Sequence, residues 1–462
     1  MLRRIRLLPV VLCVVLFAVS CGDTTSSDSS DTSPGTANSV PTTAPPATDA
    51  PPTTADLSNL LDLGGPVEDG ISDLVPTLEI EEGTGAVAPG WTLMNARPVG
   101  STHGVALAFD ETGAVVWAIE DEGFVGDTIL TREGTVMYIL DDATLREVDA
   151  EGRVVRDYAS RDSTSTQDMP HDVIPVDVRN FHHEVAELPN GNLLTVSSQV
   201  GEYESATPLC GESAEDFTGT YEVTGDQIIE LDRGTGEIVW SKSVWDAFDP
   251  IANPGTDFCN RNDPLGITPD RPNSADWSHV NAAVLTVDEQ QIIVSSRHLD
   301  RIWAWSYADT AEITPEWVVG VGGIQPAPPD RFSHQHAPEP QEDGTVLVYD
   351  NGVARDIVGG TPTEPLFSRV VQYRIDADAG TADLLWEYRR DAADGTPIYS
   401  AVVGDVDRLA NGDTLIVDGF LPEFRPQLTE IDDESRIVRV ITFTNPDFGY
   451  LLYRAERVEP FA

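Results

Sequence analysis

The stretch that decides the fold reads LAFDETGAVVW at residues 107–117. It returns as LREVDAEGRVV at 145–155 and as IIELDRGTGEIVW at 228–240. Each copy has a short apolar run, a turn that begins with aspartate and contains glycine, and a second apolar run. Runs of this length between turn residues are typical of β-strands joined as hairpins. Looser copies follow at 373–386 and 428–438. The repeat predicts an all-β protein built from one recurrent unit.

A second hairpin usually precedes each copy. Asn-Gly or Asp-Gly lies between apolar runs at 190–191, 343–344 and 411–412, and Glu-Gly takes this place at 133–134. Asn-Gly and Asp-Gly favour two-residue type I′ turns, because both central residues need positive φ. Two hairpins give four strands, and four-stranded units repeated radially form a β-propeller. We predict a six-bladed β-propeller over 76–462, with a pair of β-sandwiches as the structural alternative.

The N-terminal region has the pattern of an export signal. Arg3, Arg4 and Arg6 precede an apolar run at 7–19, which has signal-peptide length and is too short to span a bilayer comfortably. The run ends at Ser20-Cys21, where a small residue before a cysteine resembles a bacterial lipobox. We predict a lipoprotein-type signal peptide over 1–21, a lipid on Cys21, and an extracytoplasmic, membrane-anchored protein. An ordinary signal peptide with an incidental cysteine is the alternative.

The segment after the signal is low in apolar residues. Of the 34 residues in 23–56, 26 are Ser, Thr, Pro or Ala, and the only large aliphatic residue is Val40. Such a composition cannot bury enough apolar surface to offset the entropy of ordering. We therefore predict a disordered linker over 22–75 and a folded domain over 76–462.

Charge excludes several classes of partner. The chain has 28 Lys and Arg against 78 Asp and Glu, a formal net charge of −50. Nucleic-acid binding by phosphate neutralisation is excluded, since it needs surplus basic residues. Adhesion to anionic lipid through a basic face is disfavoured for the same reason. Membrane contact is expected only through the N-terminal lipid.

Two cysteines remain in the exported domain. Cys210 and Cys259 would share an oxidising compartment, and both lie in loops rich in turn residues. We predict a disulfide between them, with two free thiols as the alternative.

Histidines occur near the starts of three successive repeat units. His182-His183, His279 and the pair His334 and His336 each lead into a predicted strand. Radial symmetry brings equivalent positions together around one axis, so these side chains are candidates for a site in the central channel. Strand alternation predicts that His334 and His336 share a face, and that His182 and His183 do not.

The residues beside these histidines favour an anion over a metal ion. Asn281 lies two positions after His279 and shares its predicted face, and Arg297 lies in the same repeat unit. Converging imidazoles also bind zinc or copper, which the spacing does not exclude. A guanidinium offers a planar fork to paired oxygens, and an amide adds a neutral donor. We predict an oxyanion site, with no metal and no cofactor.

Several motifs together resemble the bacterial arylsulfotransferase family, and the resemblance runs from about 88 to 440. They are APGWTL at 88–93, HHE at 182–184 with LPNGN at 188–192, DWSHVN at 276–281, SSRH at 295–298, QH at 335–336 with YDNG at 349–352, and GDVDRLANG at 404–412. The most specific element is the pairing of His-x-Asn with Ser-Ser-Arg-His. Glu184 and Ala337 occupy positions where the family usually has aspartate.

The resemblance implies a six-bladed propeller and a function. Enzymes of this family are exported and move a sulfuryl group from a phenolic sulfate ester to another phenol, without a nucleotide donor. By resemblance, His336 is the histidine that becomes sulfated. His279, Asn281 and Arg297 form the sulfuryl-binding set, with His279 and Arg297 also catalytic. His183 is the further catalytic channel histidine.

Two choices stay open at this point. His182, the other member of the doublet, is the alternative to His183 in the channel and a candidate for substrate binding. The expected partners are a small aryl sulfate donor and a phenolic acceptor. The alternative function is a non-catalytic, surface-tethered propeller that binds a ligand or a protein.

Overall fold

Six small sheets stand in a ring and form a six-bladed β-propeller, so the predicted fold is confirmed. The computed structural model describes residues 53–54, 71–210, 213, 217–255, 275–309, 311–353, 357–358, 361–362 and 365–461. Among these residues, helix is limited to single turns at Ile71–Leu74, Val244–Ala247 and Pro422–Phe424.

The main strands of each blade pair antiparallel, and short extra strands in blades 2 and 3 pair parallel to their neighbours. The innermost strand of each blade lines the central channel, and we call it the inner strand. The first three blades, from the channel outward, contain the following strands: in blade 1, Ala455–Val458 with Tyr450–Leu451, Trp91–Pro98, His103–Phe109 and Val115–Glu122; in blade 2, Val125–Leu130, Val136–Leu140, Thr144–Val148, Val154–Ala159 and Asp172–Pro175; in blade 3, His182–Glu187, Leu193–Glu204, Thr220–Leu231 and Ile238–Ser243, with Ala275–Asp276 beside Thr220–Leu231.

The last three blades follow the same plan. Their strands are, in blade 4, Val280–Leu285, Gln291–Ser296, Arg301–Ser306 and Trp317–Gly320; in blade 5, His336–Pro340, Thr345–Asp350, Arg369–Asp376 and Thr381–Tyr388, with a small hairpin of Ile357–Val358 and Thr361–Pro362; in blade 6, Asp405–Arg408, Thr414–Asp418, Gln427–Ile431, Ile437–Thr444, Thr77–Glu82 and Thr53–Thr54.

Both ends of the folded chain close the ring. Near the N-terminus, Thr77–Glu82 pairs antiparallel with Ile437–Thr444 and extends blade 6 outward. Near the C-terminus, Ala455–Val458 pairs with Trp91–Pro98 and provides the inner strand of blade 1. The first and last blades therefore each contain strands from both halves of the sequence, which joins the ring by main-chain hydrogen bonds.

The aspartate of the repeat builds the turn between the third and fourth strands. Asp110 Oδ1 accepts hydrogen bonds from the backbone N–H groups of Thr112, at 2.8 Å, and Ala114, at 3.0 Å. Gly113 follows with φ +85°, a left-handed conformation that glycine adopts without steric cost. Asp149, Asp232 and Asp432 accept backbone N–H groups in the same way. This side-chain-to-backbone turn explains why the repeat keeps its aspartate.

The Asn-Gly and Asp-Gly hairpins have a different turn from the predicted one. Gly191 has φ +85°, whereas Asn190 is not left-handed, so the type I′ prediction is wrong. The backbone N–H of Gly191 donates to Leu188 O, and that of Leu188 donates to Asn192 O. This is a three-residue loop that ends in a left-handed glycine. The hairpins at Gly134, Gly344 and Gly412 repeat the pattern.

The core is divided among the contacts between neighbouring blades. Six clusters of buried apolar side chains lie within the described residues, one between each adjacent pair of blades. Successive side chains of one strand point to opposite faces of its sheet, so they enter different clusters. Leu93, for example, packs between blades 1 and 2, and Met94 packs between blades 6 and 1.

Carboxylates on four of the inner strands, those of blades 2, 3, 5 and 6, tie each of these strands to the next one around the channel. Glu184 Oε2 of blade 3 accepts the backbone N–H of Ala283 in blade 4 at 3.1 Å. Three further links of this kind have lengths of 2.9, 2.9 and 3.1 Å, and they run from Asp127 to Val185, from Glu339 to Arg408 and from Asp405 to Ala455. Burial raises the pKa of Glu184 and of Glu339 to about 7.

Several predictions concern residues outside the described part of the chain. Cys21 and the whole predicted signal peptide lie there, as does most of the predicted linker, although Thr53–Thr54 and Ile71–Leu74 fall inside that span. Cys210 is partly buried against the core between blades 3 and 4, but Cys259 lies outside the described residues, so the disulfide stays a prediction. Among the described helices, none has the length and apolar character needed to cross a membrane.

Candidate active site

Three of the predicted site histidines lie at the same end of three consecutive inner strands. His183 is the second residue of that strand in blade 3, His279 directly precedes that of blade 4, and His336 begins that of blade 5. In a propeller these ends converge on the channel. The pairing register of each inner strand shifts at this point, which marks a bulge.

The bulges place non-glycine residues in left-handed conformations. The φ angles are 63° at His183, 44° at His279 and 47° at Ala337. Such residues cost about 1–3 kcal/mol each and cluster at functional sites. The bulge at His183 also breaks the alternation of faces, because the Nδ1 atoms of His182 and His183 lie 2.8 Å apart. The prediction that these two side chains point to opposite faces is therefore wrong.

His183, His279 and His336 form one electrostatic cluster. The His183 ring meets the edge of the His279 ring with centroids 4.8 Å apart, and it contacts Tyr453 at 5.7 Å. Burial, together with the neighbouring rings of His279, His182 and His336, lowers the pKa of His183 well below its ordinary value. The channel therefore holds His183 as a neutral imidazole near neutral pH.

His336 is held in one tautomer by Asn351. Its Nδ1 atom lies 2.7 Å from Asn351 Oδ1, and the Asn351 amide nitrogen donates to the carbonyl oxygens of Ser400 and Val403. Because the amide nitrogen is used in this way, the amide oxygen must face His336 and accept from Nδ1–H. Burial and the nearby Arg297 guanidinium lower the pKa of His336 well below its ordinary value. The Nε2 atom thus keeps a lone pair at neutral pH.

His279 is paired with a carboxylate instead. Its Nδ1 atom lies 2.7 Å from Asp276 Oδ2, and its ring stacks at a tilt against that of His298, with centroids 4.4 Å apart. His298 Nδ1 donates to the Asp276 carbonyl oxygen at 2.6 Å. The ligating atoms of these three residues lie within 4.8 Å of one another, so within the described part of the chain they could hold a metal ion.

Arg297 and Asn281 lie beside the histidines, and their side chains have different contacts. The backbone N–H of Arg297 donates to His279 O at 3.1 Å, and the guanidinium acts on His336 as described. Asn281 is fully buried and donates from Nδ2 to Gln335 O at 2.7 Å, so one of its amide hydrogens fixes the backbone before His336. Its Oδ1 atom has no hydrogen-bond partner among the described residues.

This set of channel residues lies within a match to a known family. The sequence model of the arylsulfotransferase (ASST) family matches residues 79–454. The chain belongs to the arylsulfotransferase family. Both the predicted family and the predicted enzyme class are confirmed at this level.

Two curated relatives of this arylsulfotransferase carry the name arylsulfate sulfotransferase AssT. The protein of Escherichia coli O6:H1 is 25% identical over 438 residues, which cover 77% of this chain and 68% of the relative. The protein of Lelliottia amnigena is 25% identical over 296 residues, which cover 51% of this chain and 47% of the relative. The chain thus spans about two thirds of the first relative and about half of the second.

Two predicted histidines of the arylsulfotransferase lie outside the cluster of His183, His279 and His336, although His182 contacts His183. His182 lies behind His183, with its Nε2 atom 3.1 Å from Asp226 Oδ1. His334 has its own carboxylate partner, because its Nδ1 atom and its backbone N–H lie 3.1 Å and 2.6 Å from Asp300 Oδ1. His334 and His336 therefore have different partners despite their predicted common face.

Four residues of the arylsulfotransferase site received no role from the sequence. Asn351 and Asp276 lie inside motifs that carried the family resemblance, and Asp226 lies two residues before a repeat copy. Tyr453 lies near the end of the chain and enters the channel because the C-terminal strand closes blade 1, and its hydroxyl donates to Asn281 O at 2.8 Å. Only knowledge of this closure would have identified Tyr453 from the sequence.

Proposed function

We propose that this arylsulfotransferase moves a sulfuryl group from a phenolic sulfate ester to a phenol through a sulfated His336, without a nucleotide donor. The observation that carries the proposal is the Asn351–His336 hydrogen bond, which leaves the Nε2 lone pair available on a neutral imidazole. Such an imidazole is a competent nucleophile near neutral pH, and a covalent intermediate divides one transfer into two easier steps.

In the first step, His336 Nε2 attacks the sulfur atom and the bond from sulfur to the aryl oxygen breaks. Sulfuryl transfer resembles phosphoryl transfer, so the transition state is loose and negative charge is spread over three oxygens. Arg297 supports this charge with a guanidinium that already acts on His336. His279, held by Asp276, can stabilise or protonate the departing phenolate.

In the second step, the oxygen of the acceptor phenol attacks the same sulfur atom and the bond from sulfur to His336 Nε2 breaks. The proton of the phenol must pass to a base in the channel. The neutral amide partner of His336 supports this step as well, since a weakly basic imidazole is a good leaving group. The two substrates need never be bound together, which predicts ping-pong kinetics.

The direct test uses the donor ester without acceptor. The wild-type enzyme should release one equivalent of phenol in a burst, and the enzyme should gain the mass of one sulfuryl group on the peptide that contains His336. His336→Ala should abolish both, while His334→Ala, the matched control from the same segment, should keep both. A modification on another histidine would refute the assignment. A folded wild-type enzyme with neither burst nor modification would favour the ligand-binding propeller.

We further propose that the enzyme is exported and anchored outside the cytoplasm by a lipid on Cys21. The charged and apolar segments before Cys21 and the acidic, polar stretch after it support this location. Cys21→Ser should leave an exported protein that no longer sediments with membranes. Sedimentation unchanged from the wild type would contradict the lipid anchor.

A further inference from the structure

A line of three side chains runs from the interior of blade 3 into the channel. It begins at Asp226, which is 2% exposed, continues through His182, which is 6% exposed, and ends at His183. Asp226 Oδ1 lies 3.1 Å from His182 Nε2, and His182 Nδ1 lies 2.8 Å from His183 Nδ1. The mechanism above assigns no role to Asp226 or His182.

The position of each proton along this line follows from Asp226. Its second oxygen, Oδ2, accepts hydrogen bonds from Ser278 Oγ at 2.7 Å and from the backbone N–H of Val280 at 2.8 Å. Burial alone would raise the pKa of Asp226, but the contact with His182 and the hydrogen bond from Ser278 hold it below its ordinary value. Asp226 is therefore an ionised group that only accepts. Its Oδ1 atom lies 3.1 Å from His182 Nε2 without the alignment of a hydrogen bond, and a lone pair on Nε2 would face this anion at close range, so the contact favours a hydrogen on Nε2.

The hydrogens on the two histidine rings follow from this arrangement. A His182 ring with its single hydrogen on Nε2 has a lone pair on Nδ1, so it accepts from His183 Nδ1–H across the 2.8 Å contact. His183 is then left with its lone pair on Nε2. The left-handed backbone at His183 holds the ring against His279 and Tyr453, within the electrostatic reach of His336.

We propose that Asp226 and His182 are positioning residues that fix His183 in the tautomer whose Nε2 atom takes the proton of the acceptor phenol. This rests on the sulfuryl transfer proposed above. As the phenol oxygen bonds to sulfur, its hydrogen passes to His183 Nε2, and the bond from sulfur to His336 Nε2 breaks. The positive charge on His183 is stabilised through His182 by the Asp226 carboxylate. The proton then leaves to solvent or to the phenolate released in the first step.

The channel histidines have different partners, and these partners suit them to different chemical roles. His336 has a neutral amide partner, which suits a nucleophile and leaving group, whereas His183 is connected to a carboxylate, which suits a base. An orienting carboxylate behind a catalytic histidine selects its tautomer and stabilises the imidazolium that forms. When two titratable groups of the same kind have different surroundings, those surroundings indicate which group acts as the base and which as the nucleophile.

Asp226→Asn should reverse the direction of hydrogen-bond donation along the line of three side chains without changing its geometry. The backbone N–H of Val280 cannot be turned around, so the amide oxygen of the new side chain must stay on that side. The NH₂ group then faces His182 and donates to Nε2. His182 would donate from Nδ1 to His183, whose hydrogen would move to Nε2. The variant would present a donor where the acceptor phenol needs a base.

The test measures the two half-reactions separately. The donor-only burst reports formation of the sulfated enzyme, and decay of that species with a series of phenols of increasing acidity reports the second step. In Asp226→Asn the burst should persist, while transfer to weakly acidic phenols should fall by about 100-fold, the usual worth of a general base. Phenols that are mostly ionised at the assay pH need no base, so the rate of transfer to them should stay close to that of the wild type.

The matched control is Asp300→Asn, which alters a buried carboxylate that contacts His334, a histidine with no role in the proposed transfer. It should leave the dependence on phenol acidity as in the wild type. Equal losses of burst and transfer in Asp226→Asn, or no loss for weakly acidic phenols, would overturn the positioning role. A wild type that shows no burst would instead refute the sulfated intermediate on which the role depends.

A second measurement does not depend on the folding of Asp226→Asn. Nitrogen-15 spectra of the histidine-labelled wild-type enzyme, assigned with His183→Gln, distinguish protonated from unprotonated ring nitrogens. His183 should carry its hydrogen on Nδ1 and a lone pair on Nε2. The opposite tautomer, or a doubly protonated ring near neutral pH, would overturn the proposal.

Discussion

At the scale of single residues, the site depends on which atom each histidine presents to the channel. Sequence reasoning brought His183, His279, His336 and Arg297 to one place by radial symmetry and family resemblance. It could not assign tautomers, because these depend on partners far away in sequence, such as Asn351 for His336. Nor could it find Asp226 or Tyr453, whose contacts exist only after the blades assemble.

Arg297 gives a prediction at this scale. Arg297→Lys should reduce the rate of the donor burst by about 100-fold, as expected for the loss of one preorganised contact to a developing oxyanion. The charge is kept, but a point charge does not replace a planar fork that can contact two oxygens. Stopped-flow measurement of phenol release tests this, with thermal unfolding as the control for folding. A burst close to that of the wild type would make Arg297 a structural residue.

At the scale of elements, the repeat predicted the blades well and their distortions poorly. The aspartate turns and glycine hairpins depend only on residues close together in sequence. The pattern of residues 107–117 therefore predicts two strands wherever it recurs. The bulges at the start of the inner strands are not local. In blades 3 and 4 a backbone N–H beside the bulge is taken by a carboxylate of the preceding blade, since Val185 donates to Asp127 and Val280 donates to Asp226.

Closure of the ring by the C-terminal segment gives a prediction at this scale. Arg454 lies in the channel with 15% of its side chain exposed, and its guanidinium is 2.9 Å from Oε2 of the buried Glu184 and 3.4 Å from Oδ2 of the buried Asp127. Arg454→Met would leave these carboxylates without their cation. The free energy of unfolding should fall by about 3–5 kcal/mol, the usual cost of removing one partner from a buried ion pair.

The control for this prediction is Arg436→Met. Arg436 pairs with Asp432 at 2.7 Å, but its side chain is 59% exposed. Exposed ion pairs contribute about 0–1 kcal/mol, so this variant should unfold close to the wild type in urea titrations. Equal effects of the two substitutions would show that Arg454 does not hold the channel together.

At the scale of the whole molecule, the channel collects carboxylates that resist ionisation. Burial raises the pKa of both Glu184 and Glu339 to about 7. The unfolded chain would ionise these groups near pH 4 to 5. Between that range and pH 8, the folded protein therefore binds more protons than the unfolded protein. Stability must fall as pH rises through this window.

From about pH 6.5 to about pH 8 this effect outweighs the opposite effect of the lowered pKa values of His183 and His336, which acts mainly at lower pH. Over this range the free energy of unfolding should fall by an amount on the order of 1 kcal/mol, measured by urea titration at each pH. Glu339→Gln removes one of the titrating groups and should make the dependence shallower. Stability that is constant or rises with pH would mean that the channel carboxylates are already ionised in the folded enzyme, and that Arg454 and the backbone N–H groups suffice to hold them so.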